Sequence, residues 1–266
     1  MENKPLVSVV APAYNEASII RRSMEELCRY MESLEDEYEW ELVIVNDGST
    51  DETGRIADAF ACFNQNVRIL HHFKNFNVGQ ALKFAFGQCR GDYVVVMDMD
   101  LSYSPEHIGK LLKTIRETRA KVVVASPYMK GGRIANVPWI REVLSKNANR
   151  FLSYTAKRSL STLTGMVRAY DGKFLRSLSL RSTDISISAE IIYKSMLLQG
   201  RIVEIPAVLD WNPTRNPDFK RKSSIKIGRS LTAYLLSGFV FKPFVFFVFP
   251  GLLFMLLAVF SSFSLK

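Results

Sequence analysis

The first half of the chain alternates short apolar, β-branched runs with longer amphipathic stretches. Five runs predict buried strands over residues 6–11, 41–45, 67–70, 93–97 and 121–125. The stretches between them have helical spacing over residues 16–34, 51–63, 79–88 and 105–118. This alternation predicts an α/β fold with a mostly parallel sheet covered by helices on both faces, because parallel strands need crossover connections. Ligands of such sheets bind beyond the carboxyl ends of the strands.

The pattern becomes less regular after residue 125. Residues 126–137, with adjacent Gly131 and Gly132, predict a loop, and a basic helical stretch is expected to follow through about residue 158. A further strand and helix are expected from Thr164, and residues 201–209 predict another strand. The predicted catalytic domain therefore covers residues 1–212.

The carboxyl-terminal tail differs in composition from the rest of the chain. Residues 243–265 contain no charged side chain and are long enough to cross a hydrocarbon core of about 30 Å, which predicts a transmembrane helix. Residues 213–242 are expected to form a basic juxtamembrane segment. The cations in it predict a membrane protein with its catalytic domain in the cytoplasm, and they are Arg215, Lys220, Arg221, Lys222, Lys226 and Arg229.

The formal net charge of +9 suggests an anionic partner, which could be nucleic acid, a phosphorylated ligand or an anionic membrane. No nucleic acid is expected, because the cations gather beside the apolar tail and no nucleic-acid-binding motif is present. Cys28, Cys62 and Cys89 lack CxxC spacing, which indicates reduced thiols in a reducing compartment. The three histidines lack zinc-binding spacing.

Two carboxylates follow the strand in the run VVVMDMD. Asp98 and Asp100 stand two residues apart, so they are expected to project to one side at the ligand-binding edge of the sheet. Like charges this close repel, and Mg²⁺ or Mn²⁺ shared with substrate phosphates would relieve the repulsion. The alternative is that they cap the next helix, but Ser104 and Pro105 are expected to meet that need.

Two further turns follow predicted strands. In VNDGSTDET, Asp47 could accept hydrogen bonds from a base or a ribose hydroxyl, or the segment could simply be a strand-to-helix turn with a capping box. In APAYNE, Asn15 could cap the following helix, or Tyr14 could lie against a planar base. These alternatives stay open from the residues alone.

Taken together, the motifs resemble the family 2 glycosyltransferases of the GT-A fold. The resemblance is strongest to the subgroup that contains dolichol-phosphate mannose synthases and bacterial polyprenyl-phosphate glycosyltransferases. It covers nearly the whole chain and rests on an ordered series of motifs: APAYNE, VNDGSTDETG, NVGQALKFAF, GDYVVVMDMDLSYSPEHI, LTGMVRAYDGKFL and GRIVEIPAVLDW. Two departures stand out. The family's DADLQ is DMDLS here, and LTGMVRAY has one residue more between glycine and arginine than the family's SGFRAY.

The resemblance implies a nucleotide-diphosphate sugar donor. It implies that the nucleoside pocket is lined by Pro12, Tyr14, Glu16 and Asp47. It also implies that Asp98 and Asp100 hold the donor diphosphate through the metal, and that Arg168 contacts phosphate. We further expect the juxtamembrane cations, Lys222 and Lys226 among them, to bind the head group of a polyprenyl phosphate acceptor at the membrane lipids.

A polyprenyl phosphate is largely dianionic at neutral pH, so it could attack the donor directly, with inversion and without a strong base. The main alternative is transfer to a lipid or glycan hydroxyl, which would need a base such as Asp184 or Glu190. A non-catalytic nucleotide-binding membrane scaffold is the alternative outside the enzymes. Homo-oligomerisation is possible on this sequence.

Overall fold

A computed structural model describes residues 4–139 and 160–211, and outside these ranges the single positions 142, 146, 248, 251, 252, 254 and 255. The strands are β1 (Leu6–Ala13), β2 (Glu39–Asn46), β3 (Val67–His71), β4 (Tyr93–Val96), β5 (Val122–Ser126), β6 (Arg133–Ala135), β7 (Arg168–Asp171), β8 (Ile202–Pro206) and β9 (Val208–Asp210). The helices are α1 (Ile20–Glu32), α2 (Thr53–Ala61), α3 (Val78–Gln88), α4 (Glu106–Thr118), α5 (Gly172–Ser177) and α6 (Ile187–Leu197).

Seven strands form one sheet in the order β3-β2-β1-β4-β7-β5-β8. All its neighbouring strands pair in parallel except at β7, which runs antiparallel to β4 and β5. The predicted α/β fold with a mostly parallel sheet is therefore confirmed. The carboxyl ends of β1, β2 and β4 lie side by side at one edge, where the predicted site residues follow the strands.

Helices cover both faces of the sheet, and the strand residues alternate between two cores. Val9 packs in the core beneath α1, α2 and α4, whereas its neighbour Val10 packs beneath α3, α5 and α6. The helices contribute one apolar face each. In α1, for example, Ile20, Met24 and Leu27 are fully buried at a spacing of three or four residues.

A second, two-stranded sheet pairs β6 with β9 beside the carboxyl edge of the main sheet. His107 on α4 joins this small sheet to the domain. Its Nε2 lies 3.1 Å from the Val208 amide, which donates to it, and its Nδ1 lies 2.9 Å from the Ser104 carbonyl oxygen. Because Nε2 must accept here, the ring is neutral, and burial lowers the pKa of His107.

Several local expectations were wrong in detail. Residues 126–137 are not all loop, because they contain β6. Residues 201–209 form two strands that break at Ala207. Ser104 does not cap α4 with its side chain, whose Oγ instead lies 3.3 Å from the ring of His107. The expected helix before residue 158 lies mostly outside the described residues.

The cysteines are free, with Cys28 and Cys89 buried and Cys62 exposed. Burial raises the pKa of both buried thiols to about 12, so each stays protonated at neutral pH. The expectation of reduced, partly buried thiols agrees with this arrangement.

Candidate active site

The loops after β1 and β2 are cross-linked at the carboxyl edge of the sheet. The amide of Asn15 donates to Ser49 Oγ at 3.0 Å, and the Asn15 side-chain oxygen accepts from the amide of Thr50 at 2.8 Å. The amide of Glu16 donates to Thr53 Oγ1 at 2.8 Å. The Asn15 side chain therefore joins two loops instead of capping α1. Together these bonds hold the two loops against each other. The neighbouring Tyr14 is 46% exposed.

Asp47 lies at the end of β2 and is almost fully buried. One of its carboxylate oxygens, Oδ1, accepts twice: from His72 Nδ1 at 2.6 Å and from the amide of Phe76 at 3.0 Å. A carboxylate only accepts, so the His72 proton is assigned to Nδ1. The His72 ring stacks on Phe84, with centroids 5.1 Å apart, and meets Phe76 edge-on. Asp47 is therefore held in one orientation.

Gly48 allows this arrangement because two backbone segments meet at its Cα atom. Its φ is +66°, and a Cβ placed there would lie 2.1 Å from the carbonyl carbon of Lys74. The loop that carries His72 can approach Asp47 only because residue 48 has no side chain. The VNDGSTDET segment is thus more than a generic strand-to-helix turn.

A second acidic group lies where the chain leaves β4. The strand ends at Val96, so Asp98 and Asp100 sit in the turn that follows instead of in the strand itself. Asp100 Oδ1 accepts from the amide of Ser102 at 2.9 Å, and Leu101 has a φ of +48°. The charges of both acids act on Glu16, which follows β1.

Glu16 is the third acid of this cluster. Its Oε2 is buried and has no hydrogen-bond partner among the described residues. Burial, followed by the charges of Asp100 and Asp98, raises the pKa of the Glu16 carboxyl well above its usual value. Glu16 therefore lies where negative charges act together, and carboxylate oxygens are the ligands that a divalent cation takes.

No group of three or more acidic, histidine or cysteine side chains in the described ranges could hold a metal ion by itself. A cation at Asp98 and Asp100 would need further oxygen ligands, and the phosphates of a ligand are ones that Mg²⁺ commonly takes. Glu16, predicted to line the nucleoside pocket, lies near enough to the two aspartates for their charges to act on it.

Arg168 begins β7 and is completely buried. Its Nη1 donates to the carbonyl oxygen of Ser188 at 2.5 Å and its Nη2 to that of Leu163 at 2.6 Å. Its charge also acts on Tyr103, a buried side chain whose pKa is raised by burial and by Asp98. The charges of Arg168 and Asp98 thus both act on the Tyr103 ring. Direct contact between Arg168 and phosphate stays a prediction.

The two candidate bases have local structural partners. Glu190 accepts from the amides of Arg181 and Ser182 and pairs with Lys194 at 2.7 Å. These contacts outweigh the effect of burial and lower the pKa of Glu190 to about 2. Asp184 Oδ1 accepts from the amide and the hydroxyl of Ser186. Glu190 is therefore neither a solvent-facing helical acid nor a group poised to take a proton.

Some predictions fall outside the described residues. These include Lys222, Lys226, the basic segment 213–242 and most of the apolar segment 243–265. Within the described part of the chain, no helix is both long and apolar enough to cross a membrane.

The comparisons with known proteins agree with this geometry. The profile of glycosyl transferase family 2 matches residues 8–178, from β1 through α5. The chain belongs to this family. The predicted enzyme class, a glycosyltransferase, is confirmed by the match and by the relatives.

Among those relatives, a dolichol-phosphate mannosyltransferase of Pyrococcus furiosus is 29% identical over 202 residues, which cover 75% of this chain and 55% of the relative. An undecaprenyl-phosphate mannosyltransferase of Micrococcus luteus is 30% identical over 207 residues, which cover 75% of this chain and 82% of the relative. The chain thus spans little more than half the length of the archaeal protein and most of the bacterial one.

A glucosyl-3-phosphoglycerate synthase from Mycobacterium tuberculosis has a similar structure. It was crystallised with Mn²⁺, uridine diphosphate and glucosyl-3-phosphoglycerate. The TM-score is 0.65 at 19% identity, over 88% of this chain and 80% of that one. The likeness confirms the GT-A fold.

Proposed function

We propose that this protein transfers a sugar from a nucleotide-diphosphate sugar to the phosphate of a polyprenyl phosphate. The observation that carries the proposal is the cluster of Glu16, Asp98 and Asp100 beside the rigid Asp47 turn. The Asp47 turn is suited to accept a hydrogen bond from a nucleoside. The acidic cluster is suited to a cation that is bound together with a diphosphate. Relatives in two domains of life that are named for polyprenyl-phosphate transfer support this choice of acceptor.

The donor would bind across the carboxyl ends of β1, β2 and β4. Pro12 and Tyr14 would flank the nucleoside, and Asp47 would accept a hydrogen bond from it. A cation held by Asp98 and Asp100 would neutralise the negative charge that develops on the leaving diphosphate. The raised pKa of Glu16 and its unsatisfied oxygen support a cation here, because positive charge would relieve both.

In the proposed reaction, a phosphate oxygen of the acceptor attacks the anomeric carbon of the sugar. The bond from that carbon to the donor diphosphate breaks, and the electron pair leaves with the diphosphate. Direct attack inverts the anomeric carbon. Since the second pKa of a phosphate monoester is about 6, the acceptor is largely ionised at pH 7 and no base is needed.

The contacts of Glu190 and Asp184 support a phosphate acceptor over a hydroxyl acceptor. A hydroxyl must lose a proton as it attacks, and the base that takes it works best with a pKa near the operating pH. Glu190 has a pKa of about 2 and three partners, so it is a poor base. Asp184 is engaged with Ser186.

The acceptor would bind where the protein meets the membrane. We propose that Arg221, Lys222 and Lys226 contact the lipid phosphate, and that residues 213–242 and 243–265 bind the enzyme to membrane lipids, with the catalytic domain in the cytoplasm. Each cation near an anionic surface contributes about 1 kcal/mol of attraction. Arginine adds paired hydrogen bonds to phosphate.

The proposal is tested with the full-length protein in detergent. Nucleotide sugars are screened against undecaprenyl and dolichyl phosphate, and in parallel against a diacylglycerol and a glycan with free hydroxyls. We expect transfer to polyprenyl phosphate only. Transfer to hydroxyls alone would establish the alternative acceptor, and nucleotide binding without turnover would establish the scaffold.

The acceptor contacts are tested by replacing Lys222 and Lys226 with Gln. Loss of a charged hydrogen bond is expected to weaken the acceptor by about 1.5–3 kcal/mol, with a smaller effect on the donor. Lys110→Gln and Lys113→Gln on the exposed face of α4 serve as controls of equal charge. Unchanged acceptor kinetics in the first pair would leave the basic segment with a role in membrane topology only.

A further inference from the structure

A partly buried polar cluster lies on β5 and β8, across β7 from the strands that carry the donor residues. Glu204 on β8 accepts from the amides of two consecutive residues: from Ser161 at 2.8 Å and from Thr162 at 2.8 Å. It also accepts from the Ser161 hydroxyl at 3.0 Å. A carboxylate that binds two backbone amides holds those residues firmly, because bonds to charged groups are stronger than neutral ones.

Ser126, the last residue of β5, completes the cluster. It is fully buried, and its Oγ lies 2.7 Å from Ser161 Oγ and 2.6 Å from Thr162 Oγ1. We call Ser126, Ser161, Thr162 and Glu204 the Glu204 clasp. The chain leaves the main sheet at Ser126, and Ser161, 35 residues later, lies against it again. The clasp therefore joins the start of the connection between β5 and β7 to a point seven residues before β7.

The clasp is connected to Arg168, one of the predicted site residues. Leu163 follows Thr162, and its carbonyl oxygen accepts from Arg168 Nη2 at 2.6 Å. Arg168 acts on Tyr103, and the charge of Asp98 acts on the same ring. Residues 161–163 thus help to hold Arg168, whose charge acts on the Tyr103 ring.

We propose that Glu204 is a positioning residue for the acceptor half of the reaction. It fixes residues 161–163, and through the Leu163 carbonyl the guanidinium of Arg168, which we place on the acceptor side of the site. This role rests on the proposed function. The donor residues follow β1, β2 and β4, whereas the clasp lies on β5 and β8 across β7. Changes in the clasp are therefore expected to spare nucleotide binding.

The test compares full-length Glu204→Gln with wild type. The variant keeps the side-chain shape but replaces one amide-accepting oxygen with an NH₂ group. Because a misplacement of about 1 Å can cost 10²-fold in rate, we expect acceptor kcat/KM to fall about 10- to 100-fold. The Kd for UDP or GDP, whichever wild type binds, stays within about twofold. Glu117→Gln, on the exposed surface of α4, is the matched control and should change nothing.

Hydrogen exchange provides a readout that does not depend on the acceptor. In Glu204→Gln the amides of Ser161 and Thr162 should exchange faster, while those of Val94–Val96 should not change. Unchanged exchange at residues 161–162 would overturn the clasp whatever the enzyme transfers. If wild type transfers nothing to polyprenyl phosphates but exchange still responds, the proposed function fails and the clasp stands.

Ser126→Ala is a second variant that tests the same proposal if Glu204→Gln fails to fold. It removes the hydroxyl that connects β5 to residues 161–162 and that also accepts from the amides of Tyr128 and Met129 at 3.3 Å. Because both Glu204–amide bonds stay, a smaller loss of acceptor kcat/KM is expected at the same nucleotide Kd. A parallel loss of nucleotide affinity and acceptor turnover in either variant would show a general structural role and overturn the proposal. Full acceptor activity in a folded Glu204→Gln would overturn it as well.

Discussion

The hydrogen bond between His72 and Asp47 provides a sharp test of the donor half. We choose His72→Phe because phenylalanine keeps a flat ring that can stack on Phe84 and removes only the N–H donor to Asp47. The chain also contains a matched pair. His71, the preceding residue, pairs with Asp58 at 2.9 Å, but there the side chains are 42% and 54% exposed. For His72 and Asp47 the exposed fractions are 11% and 4%.

The magnitude follows from this difference in exposure. Removing one partner from a buried acceptor costs about 1–3 kcal/mol. Asp47 keeps its bond from the Phe76 amide, so we expect the lower part of that range, about 1–2 kcal/mol of unfolding free energy. If the nucleotide needs Asp47 in its present orientation, the same free energy weakens nucleotide binding by a factor of about 5–30. Asp58→Asn breaks the exposed pair and should cost about 0–1 kcal/mol.

The assay has two parts. Urea unfolding gives the change in stability, and calorimetric titration with UDP and GDP gives the change in nucleotide Kd. Asp58→Asn should leave the Kd unchanged. A folded His72→Phe that binds nucleotide within twofold of wild type would refute the reasoning, because it would show that Asp47 either does not contact the nucleotide or needs no second donor.

Three further outcomes are expected. Asp98→Asn or Asp100→Asn should abolish metal-dependent transfer without unfolding the protein, since both residues lie beyond the sheet. The surface variant Asp36→Asn should keep full transfer. Full turnover in Asp98→Asn or Asp100→Asn, or of wild type in excess chelator, would contradict this. Stability should fall as the pH drops below about 6.5, the ordinary pKa of histidine, because His107 is held neutral in the fold and takes up a proton on unfolding. Urea unfolding at pH values above and below about 6.5 should show a shallower fall of the unfolding free energy in His107→Phe than in wild type. Parallel pH profiles for the two proteins would disprove the link. The full chain should sediment with membranes, and removal of residues 231–266 should yield a domain that still binds nucleotide; recovery of the intact protein without detergent would count against the anchor.

The strands could be predicted closely because buried parallel strands are continuous apolar runs. Residues 67–70 were expected and Val67–His71 are observed. The direction of β7 could not be predicted. The sequence pattern of its four residues does not show whether the strand runs parallel or antiparallel to its neighbours. Its direction depends on the path of the chain between β5 and β7. Sequence pattern thus identifies the elements, whereas the connection decides their arrangement.

The sequence suggests the candidate site where polar residues follow strands. Asp47, Asp98 and Asp100 were found by that rule, and the structure brings the last two together with Glu16. His72 was missed because histidines were considered only as zinc ligands, although it directly follows β3 at the same edge. The burial of Arg168 could not have been predicted, because a motif indicates which residue is present and not whether its side chain reaches solvent.

The register of β7 has a consequence for how this chain can vary in length. Arg168 and Tyr170 share the face beneath α3, α5 and α6, whereas Ala169 belongs to the opposite core. A deletion inside β7 would turn Arg168 towards the wrong layer, because one residue of slip exchanges the two faces. The residue that this chain carries beyond the family's SGFRAY pattern lies ahead of the strand, between Gly165 and Arg168. A change of length in this approach leaves the two faces of β7 as they are, whereas a change of length inside the four-residue strand exchanges them.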